Sequence, residues 1–354
     1  NIEFVKFLKK LGCTIIIYTA RRMKTHAGNI GKIMQDVGKI TIDTLDSFEI
    51  PYDELYFGKP YAHAYIDDLA INAFDDYQMD TGVSNFLIDE RDFNELQDDV
   101  LHIITKKSSS TEKLKGEISW YNNMPTSFRR HVPALISYDD KDFKQYQIER
   151  VQGLTFQELF LSGNLTRKIF NELLSVLQTM HKCRPNTEVN IYQNYATKLE
   201  DRYRSYNYTQ FKDSNNMYQH LKTQLNEYEN KQKGQCGIIH GDPVFTNILF
   251  DRFDKIKLID PRGILGDEVT IYGDIYYDYA KIYQSLIGYD EVMQNCKVDL
   301  TYKNMLIEIF FEHISKLYGG DKVENIKIIT NSLLFTLLPL HDNNKCKDYY
   351  KLIK

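Results

Sequence analysis

Apolar positions along the first 74 residues alternate between two periods. Ile2, Phe4, Val5, Phe7, Leu8 and Leu11 recur at helical spacing, and Gly12 follows where a helix would end. Residues 13–18 form a continuous apolar run rich in β-branched residues, the pattern of a buried parallel strand. A helix is expected over 30–37, then strands over 54–57 and 62–66. The whole reads as an α/β segment, about half the length of an ordinary α/β domain. Residues 75–91 are polar and acidic and read as a connector.

From residue 92 the pattern changes. A strand is expected over 100–105, a turn over 108–110, a helix over 111–121 capped by Thr111, and a strand over 146–151 that ends before Gly153. Ile169, Phe170, Leu173, Leu174, Leu177 and Met180 then share one helix stripe, which Pro185 must stop. Residues 193–232 are polar, tyrosine-rich and compatible with helix. Short strands are expected over 237–239, 247–250 and 255–259, the last two joined by a turn over 251–254, and 274–354 is helical again. The resulting layout is a partial α/β domain over 1–80, a connector over 81–91, a small strand-rich lobe over 92–151 and a helical lobe over 152–354. The fold class is α/β followed by α+β.

Composition narrows the partners. The 354 residues carry a formal net charge of −5, with 42% apolar and 26% charged positions, enough for real cores. A mildly acidic chain without a basic tract gives no electrostatic reason to bind nucleic acid. The longest apolar runs are too short to span a membrane. Five cysteines lie far apart without a C-x-x-C pair, which fits a reducing cytoplasm better than a disulfide framework. The 26 tyrosines against a single Trp120 read as compositional bias.

The most informative string is His240-Gly-Asp242-Pro-Val-Phe-Thr-Asn247, followed by Ile259-Asp260-Pro261-Arg262-Gly263. A carboxylate placed at Asp242 can orient a substrate hydroxyl and accept its proton. An amide oxygen at Asn247 and a second carboxylate at Asp260, one hairpin further on, can hold Mg²⁺ between nucleotide phosphates. Taken singly, each residue is equally at home in a polar turn; the order and the spacing carry the chemistry. Phosphoryl transfer also needs a lysine on the nucleotide phosphates, clamped by a helix glutamate. Lys106 and Lys107 end the 100–105 strand and Glu117 lies on the next helix. Lys107, at the strand end beside Ser108, is the preferred lysine. The segment 146–153, with Glu149 and Val151, offers backbone groups to a nucleobase, or is simply a strand-to-helix junction.

Together these residues resemble the aminoglycoside phosphotransferase and choline kinase superfamily, over about 92–350. The resemblance implies a two-lobed kinase-like fold, with Asp242 as base and His240 bracing its loop. It further implies Mg²⁺ on Asn247 and Asp260, ATP or GTP as donor, and a small alcohol or sugar as acceptor. No G-x-G-x-x-G precedes the lysine. Pro-Arg-Gly follows Asp260, and one tryptophan is a poor supply for a quaternary-ammonium cage, which argues against choline. Tyr276, Tyr277 and Tyr279 are weak candidates for the acceptor site.

A second set lies in the first segment: Thr19 after one expected strand, Lys59 after the next, then Asp67 and Asp68. The set resembles the later motifs of the haloacid dehalogenase-like phosphohydrolases, with Arg22, His26 and Asn29 bordering the phosphate. That family's D-x-D-x-T nucleophile motif does not precede Thr19. The chain opens at Asn1 inside an amphipathic segment, so a truncated domain without phosphatase activity is expected. Three functions follow: a small-molecule kinase, a phosphatase in a longer protein, or a non-catalytic nucleotide-binding scaffold. Acceptor, donor base and oligomeric state stay open.

Overall fold

The computed structural model describes residues 2–10, 12–62, 94–99, 103–186, 188–341 and 343–354. Two compact units divide the chain, Asn1–Leu87 and Ile88–Lys354. The expected strand over 62–66, the connector over 81–91 and the pair Asp67 and Asp68 lie wholly or almost wholly outside the described residues.

In the first unit, α1 (Ile2–Lys10) precedes β1 (Ile16–Thr19), and β2 (Glu54–Phe57) pairs with β1 in parallel, Ile16 opposite Glu54 and Thr19 opposite Phe57. Between them run α2 (Ile30–Ile33), a wide turn over Met34–Gly38 and α3 (Lys39–Ser47). The helical stretch therefore extends ten residues beyond the expected 37. Ile33, Val37, Thr41 and Leu45 recur every fourth residue and are all buried, so packing overrides the poor helix propensity of the β-branched 40–42 stretch.

The second unit opens with an antiparallel sheet in the order β3-β4-β6-β5: β3 (Asn94–Asp99), β4 (Ile103–Ser108), β5 (Leu135–Tyr138) and β6 (Gln145–Glu149). Strand β4 runs through the expected 108–110 turn as far as Ser108. Helix α4 (Thr111–Asn123) follows, buries Leu114, Ile118, Trp120 and Tyr121, and starts after Ser110 rather than after a Thr111 cap. Strand β5 escaped the pattern because Ile136 and Tyr138 on it are exposed, so its alternation carries no strong apolar face.

The chain continues through β7 (Gly153–Thr155), α5 (Phe156–Leu161) and α6 (Arg167–His181), whose predicted stripe packs inward at Phe170, Leu173, Leu174, Leu177 and Met180. Thr155 and Glu158 cap α5 reciprocally, and Thr166 caps α6. The tyrosine-rich stretch holds α7 (Ala196–Ser205) and α8 (Ser214–Asn230). Its tyrosines are structural: the Tyr203 and Tyr218 rings stack at 3.9 Å, and those of Tyr208 and Phe335 at 4.4 Å. Next come β8 (Cys236–Ile238), β9 (Ile248–Asp251) and β10 (Ile256–Leu258), with β9 between β10 and β7 in one antiparallel sheet. Two short strands, β11 (Ile264–Leu265) and β12 (Glu268–Val269), form a hairpin, and β13 (Tyr272–Asp274) pairs with β8. Helices α9 (Ile275–Gln284), α10 (Asp290–Met293), α11 (Leu300–Tyr318), α12 (Asp321–Leu337) and α13 (Asn343–Lys351) complete the unit. Among the described residues no helix is long and apolar enough to cross a membrane.

Candidate active site

Register decides which lysine points inward. On β4, Lys106 lies opposite Tyr146 of β6, and side chains alternate between faces, so Lys107 points the other way. Lys106, not Lys107, reaches the helix: its Nζ stands 2.8 Å from Glu117 Oε2 and 3.1 Å from Asp260 Oδ1. The preference for Lys107 is thus corrected by the strand's phase, which sequence alone leaves ambiguous by one residue. Tyr146 donates its hydroxyl to the same Glu117 oxygen at 2.6 Å. Burial works to lower the Lys106 pKa, but the charges of Asp260 and Glu117 outweigh it and hold the ammonium protonated, above its ordinary value.

Close backbone approach brings α4 against the turn that follows Asp260. A Cβ on Gly263, whose φ is +61°, would lie 1.9 Å from the Gly116 carbonyl oxygen. Glycine at this contact lets Glu117, the next residue of α4, come within reach of the cluster. Asp260 itself adopts φ +54° ahead of Pro261, a strained left-handed position for a residue with a side chain. Its side chain remains 41% exposed while Lys106 is buried, so one face of the carboxylate meets solvent.

Asp278 organises the loop before β9. Its carboxylate accepts from the backbone N–H groups of His240 and Gly241, each at 2.8 Å, and lies 3.0 Å from His181 Nε2. Trp120 Nε1 donates to the Ile239 carbonyl at 2.7 Å, tying α4 to the same loop. His240 is fully buried, its ring edge-on to Trp120, and its Nδ1 accepts from the Asp242 N–H at 3.3 Å. Burial pushes the His240 pKa down, which keeps the imidazole neutral. With Nδ1 accepting from the Asp242 N–H, the fully buried ring is tied to the loop that carries Asp242.

The β9–β10 hairpin brings the remaining oxygens into line. Leu258 pairs with Ile248, and the Ile259 N–H donates to the Asn247 carbonyl at 3.0 Å, so Asp260 lies one residue past Asn247 across the ladder. Asn247 Nδ2 donates to the Asp242 carbonyl at 2.9 Å, which turns the amide oxygen the opposite way. One amide oxygen and one half-exposed carboxylate suit a hard divalent cation whose remaining ligands are water and phosphate. Among the described residues no group of three or more His, Cys, Asp or Glu could hold a metal alone.

Asp242 Oδ1 stands 2.9 Å from Lys281 Nζ on α9. One turn earlier on that helix, the Tyr277 hydroxyl accepts from Arg262 Nη1 at 3.0 Å and from Lys198 Nζ at 3.3 Å. Sequence reading missed Lys198, Asp278 and Lys281 because helical periodicity alone does not distinguish an inward charge from a solvated one. The Asp274 cap of α9, which accepts from buried Tyr195 at 2.7 Å and from Tyr228, was the nearest available signal that this helix starts deep in the protein.

Two expectations fare differently. The Glu149 N–H, offered above to a nucleobase, is already donated to the Ala134 carbonyl at 2.9 Å, and the Glu149 carboxylate accepts from the Ala134 N–H. Glu149 therefore belongs to the end of the interior strand β6, opposite Ile103 of β4, while Val151 lies half-buried between β6 and β7. In the first unit, Thr19 and Lys59 lie at neighbouring strand ends, the Lys59 N–H donating to the Thr19 carbonyl at 3.1 Å. Asn29 caps α2, and His26 and Arg22 pair with Asp36, so these three side chains serve local structure.

The chain shares its fold with solved choline/ethanolamine kinases and aminoglycoside phosphotransferases. A choline/ethanolamine kinase family protein from Mesorhizobium loti is similar over 73% of this chain and 83% of its own, at 10% identity and a TM-score of 0.51. A thermostable mutant of the aminoglycoside phosphotransferase APH(4)-Ia matches 73% of this chain and 92% of its own, at 11% identity and a TM-score of 0.50. The GDP complex of aminoglycoside 2'-phosphotransferase-IIIa matches 75% and 89%, at 12% identity and a TM-score of 0.50. In sequence, the family model described as Seadornavirus VP7 matches residues 165–337, just under half of the chain. No curated protein sequence matches. The comparisons bring no evidence for a fused haloacid dehalogenase-like domain, or for a hydrolase or bifunctional chain.

Proposed function

We propose that the chain is a phosphotransferase that moves the terminal phosphoryl group of ATP or GTP to a hydroxyl of a small molecule. One observation carries the reading: the buried Lys106–Glu117 pair meets Asp260, which lies beside the Asp242–Asn247 loop. In this reading Lys106 contacts the nucleotide phosphates and Glu117 with Tyr146 keeps its ammonium in place. Asp242 orients the acceptor hydroxyl and takes its proton, while Asp278, His181 and Trp120 hold the loop that carries it. Asn247 and Asp260 would hold Mg²⁺, which when bound neutralises charge on the transferred group. The GDP complex of one structural neighbour supports a nucleotide as donor.

The test is transfer from γ-labelled ATP or GTP, with Mg²⁺, to a panel of sugars and amino alcohols, beside Asp242→Ala. Transfer that persists in the variant would remove Asp242 from the chemistry, and nucleotide binding without any turnover would favour a scaffold. A second reading, phosphate-ester hydrolysis in a longer protein that supplies the nucleophile, has in its favour that the Lys59 N–H donates to the Thr19 carbonyl at the end of a parallel strand pair. Release of phosphate from a sugar phosphate by this chain itself would contradict the expectation that it lacks the nucleophile.

A further inference from the structure

Three cations from three separate elements converge beside Asp242, and among the described residues only one of them has a carboxylate partner. Lys198 comes from α7, Arg262 from the turn after Asp260, and Lys281 from α9. Lys198 and Arg262 both donate to the buried Tyr277 hydroxyl, and among the described residues neither has a carboxylate within ion-pair distance. Lys281 has one, Asp242 itself. Lys198, Arg262 and Lys281 are half-buried, where like charges still repel one another, and structural clusters normally alternate the signs. Burial, with Arg262 and Lys281 adding to it, pushes the Lys198 pKa down to about 8. Even with the phenol ionised and Asp242 paired, the cluster keeps a surplus of one positive charge.

Gly241 shows that Arg262 belongs to the site and not to the surface. A Cβ there would lie 2.6 Å from the Arg262 Cβ, so the arginine is packed directly against the loop carrying Asp242. Lys106 already serves the phosphate side through Asp260, whereas Lys198 and Lys281 come from the helical part and adjoin the base. We infer that Lys198, Arg262 and Lys281 bind a phosphate or carboxylate group carried by the acceptor whose hydroxyl faces Asp242. This inference rests on the phosphotransferase reading and adds the acceptor's charge to it. A cationic amino alcohol or amino sugar would meet repulsion in the same place.

The experiment has a binding arm and a transfer arm. Calorimetry would measure inorganic phosphate binding to the full chain, saturated with a non-hydrolysable ATP analogue and Mg²⁺ so that the nucleotide site is filled. Phosphate affinity is expected to fall about tenfold in Lys198→Met and in Arg262→Met, with Arg262→Lys recovering part of the loss and the analogue bound as before. Thermal melting checks that each variant is folded. In the transfer arm, glucuronate and a glucose phosphate are expected to outrun glucose and glucosamine. Phosphate that fails to bind, or binds Lys198→Met as tightly as the parent, overturns the inference, and so does preferential transfer to glucosamine. If no panel member is phosphorylated, the calorimetric comparison alone decides. Failure of the analogue itself to bind would instead sink the phosphotransferase reading. Phosphate binding to the nucleotide-free chain, lost in Lys198→Met, would then still establish the anion site.

Discussion

Two charge clusters, one buried and one half-buried, flank the Asp242 loop, and their balances are opposite. At the first, one lysine faces two carboxylates; at the second, three cations face one phenol and one carboxylate, Asp242. Burial works to lower the pKa of either lysine. Lys106 nevertheless ends above its ordinary value because Asp260 and Glu117 outweigh desolvation, while Lys198 ends at about 8 because Arg262 and Lys281 add to it. The sign left over after pairing, more than burial itself, tells what each cluster can receive. Surplus negative charge at Asp260 suits a divalent cation carrying phosphates, and surplus positive charge around Tyr277 suits an anion.

The largest expected effect comes from the residue between the two clusters. Asp242→Asn should lower transfer roughly a hundred- to ten-thousandfold while nucleotide still binds, measured by single-turnover transfer and by calorimetry. A smaller loss would mean that the clusters position substrates without a base between them.

Breaking the first cluster comes next. Lys106→Met leaves Glu117 buried without its cation and should cost about 3–5 kcal/mol of stability in denaturant unfolding, together with nucleotide affinity. Lys107→Met should cost far less on both counts, because Lys107 points from the opposite face of β4. Equal losses in the two variants would contradict the register.

Asp290 supplies a third case, a buried carboxylate with no cation in ion-pair range among the described residues. Burial pushes its pKa from the ordinary 3.8 up to about 6, although the Gln157 amide donates to it. The folded state therefore binds the proton more tightly than the unfolded state, and stability falls as pH rises from about 4 to 6, then levels off. Asp290→Asn should remove that cost, about 3 kcal/mol at pH 7.5 and little at pH 4. Melting curves at the two pH values would show the gain growing with pH; a constant gain would place the cost elsewhere.

The smallest effect sharpens the second cluster. Burial opposes ionisation of Tyr277, but Lys198, Arg262 and Lys281 prevail and bring its pKa down to about 7. An ultraviolet difference titration should therefore show one phenolate forming near neutrality, displaced to higher pH in Lys198→Met. A titration without that early component would mean that the cations are already neutralised.

The sequence by itself determined whatever depends on neighbours along the chain. The order His240, Asp242, Asn247, Asp260, the hairpin that spaces them and the buried stripe of α6 all follow from local turn chemistry and period. Helix α3 and strand β5 escaped because packing, not propensity or alternation, places them. The inward lysine depends on the phase of β4, which one residue of slip reverses, and only pairing with β6 decides it. Lys198, Arg262, Asp278 and Lys281 acquire meaning through contacts between segments far apart in sequence. Only tertiary packing brings these charges together, and a group of charges with one sign in excess is informative because their repulsion must be held by the fold.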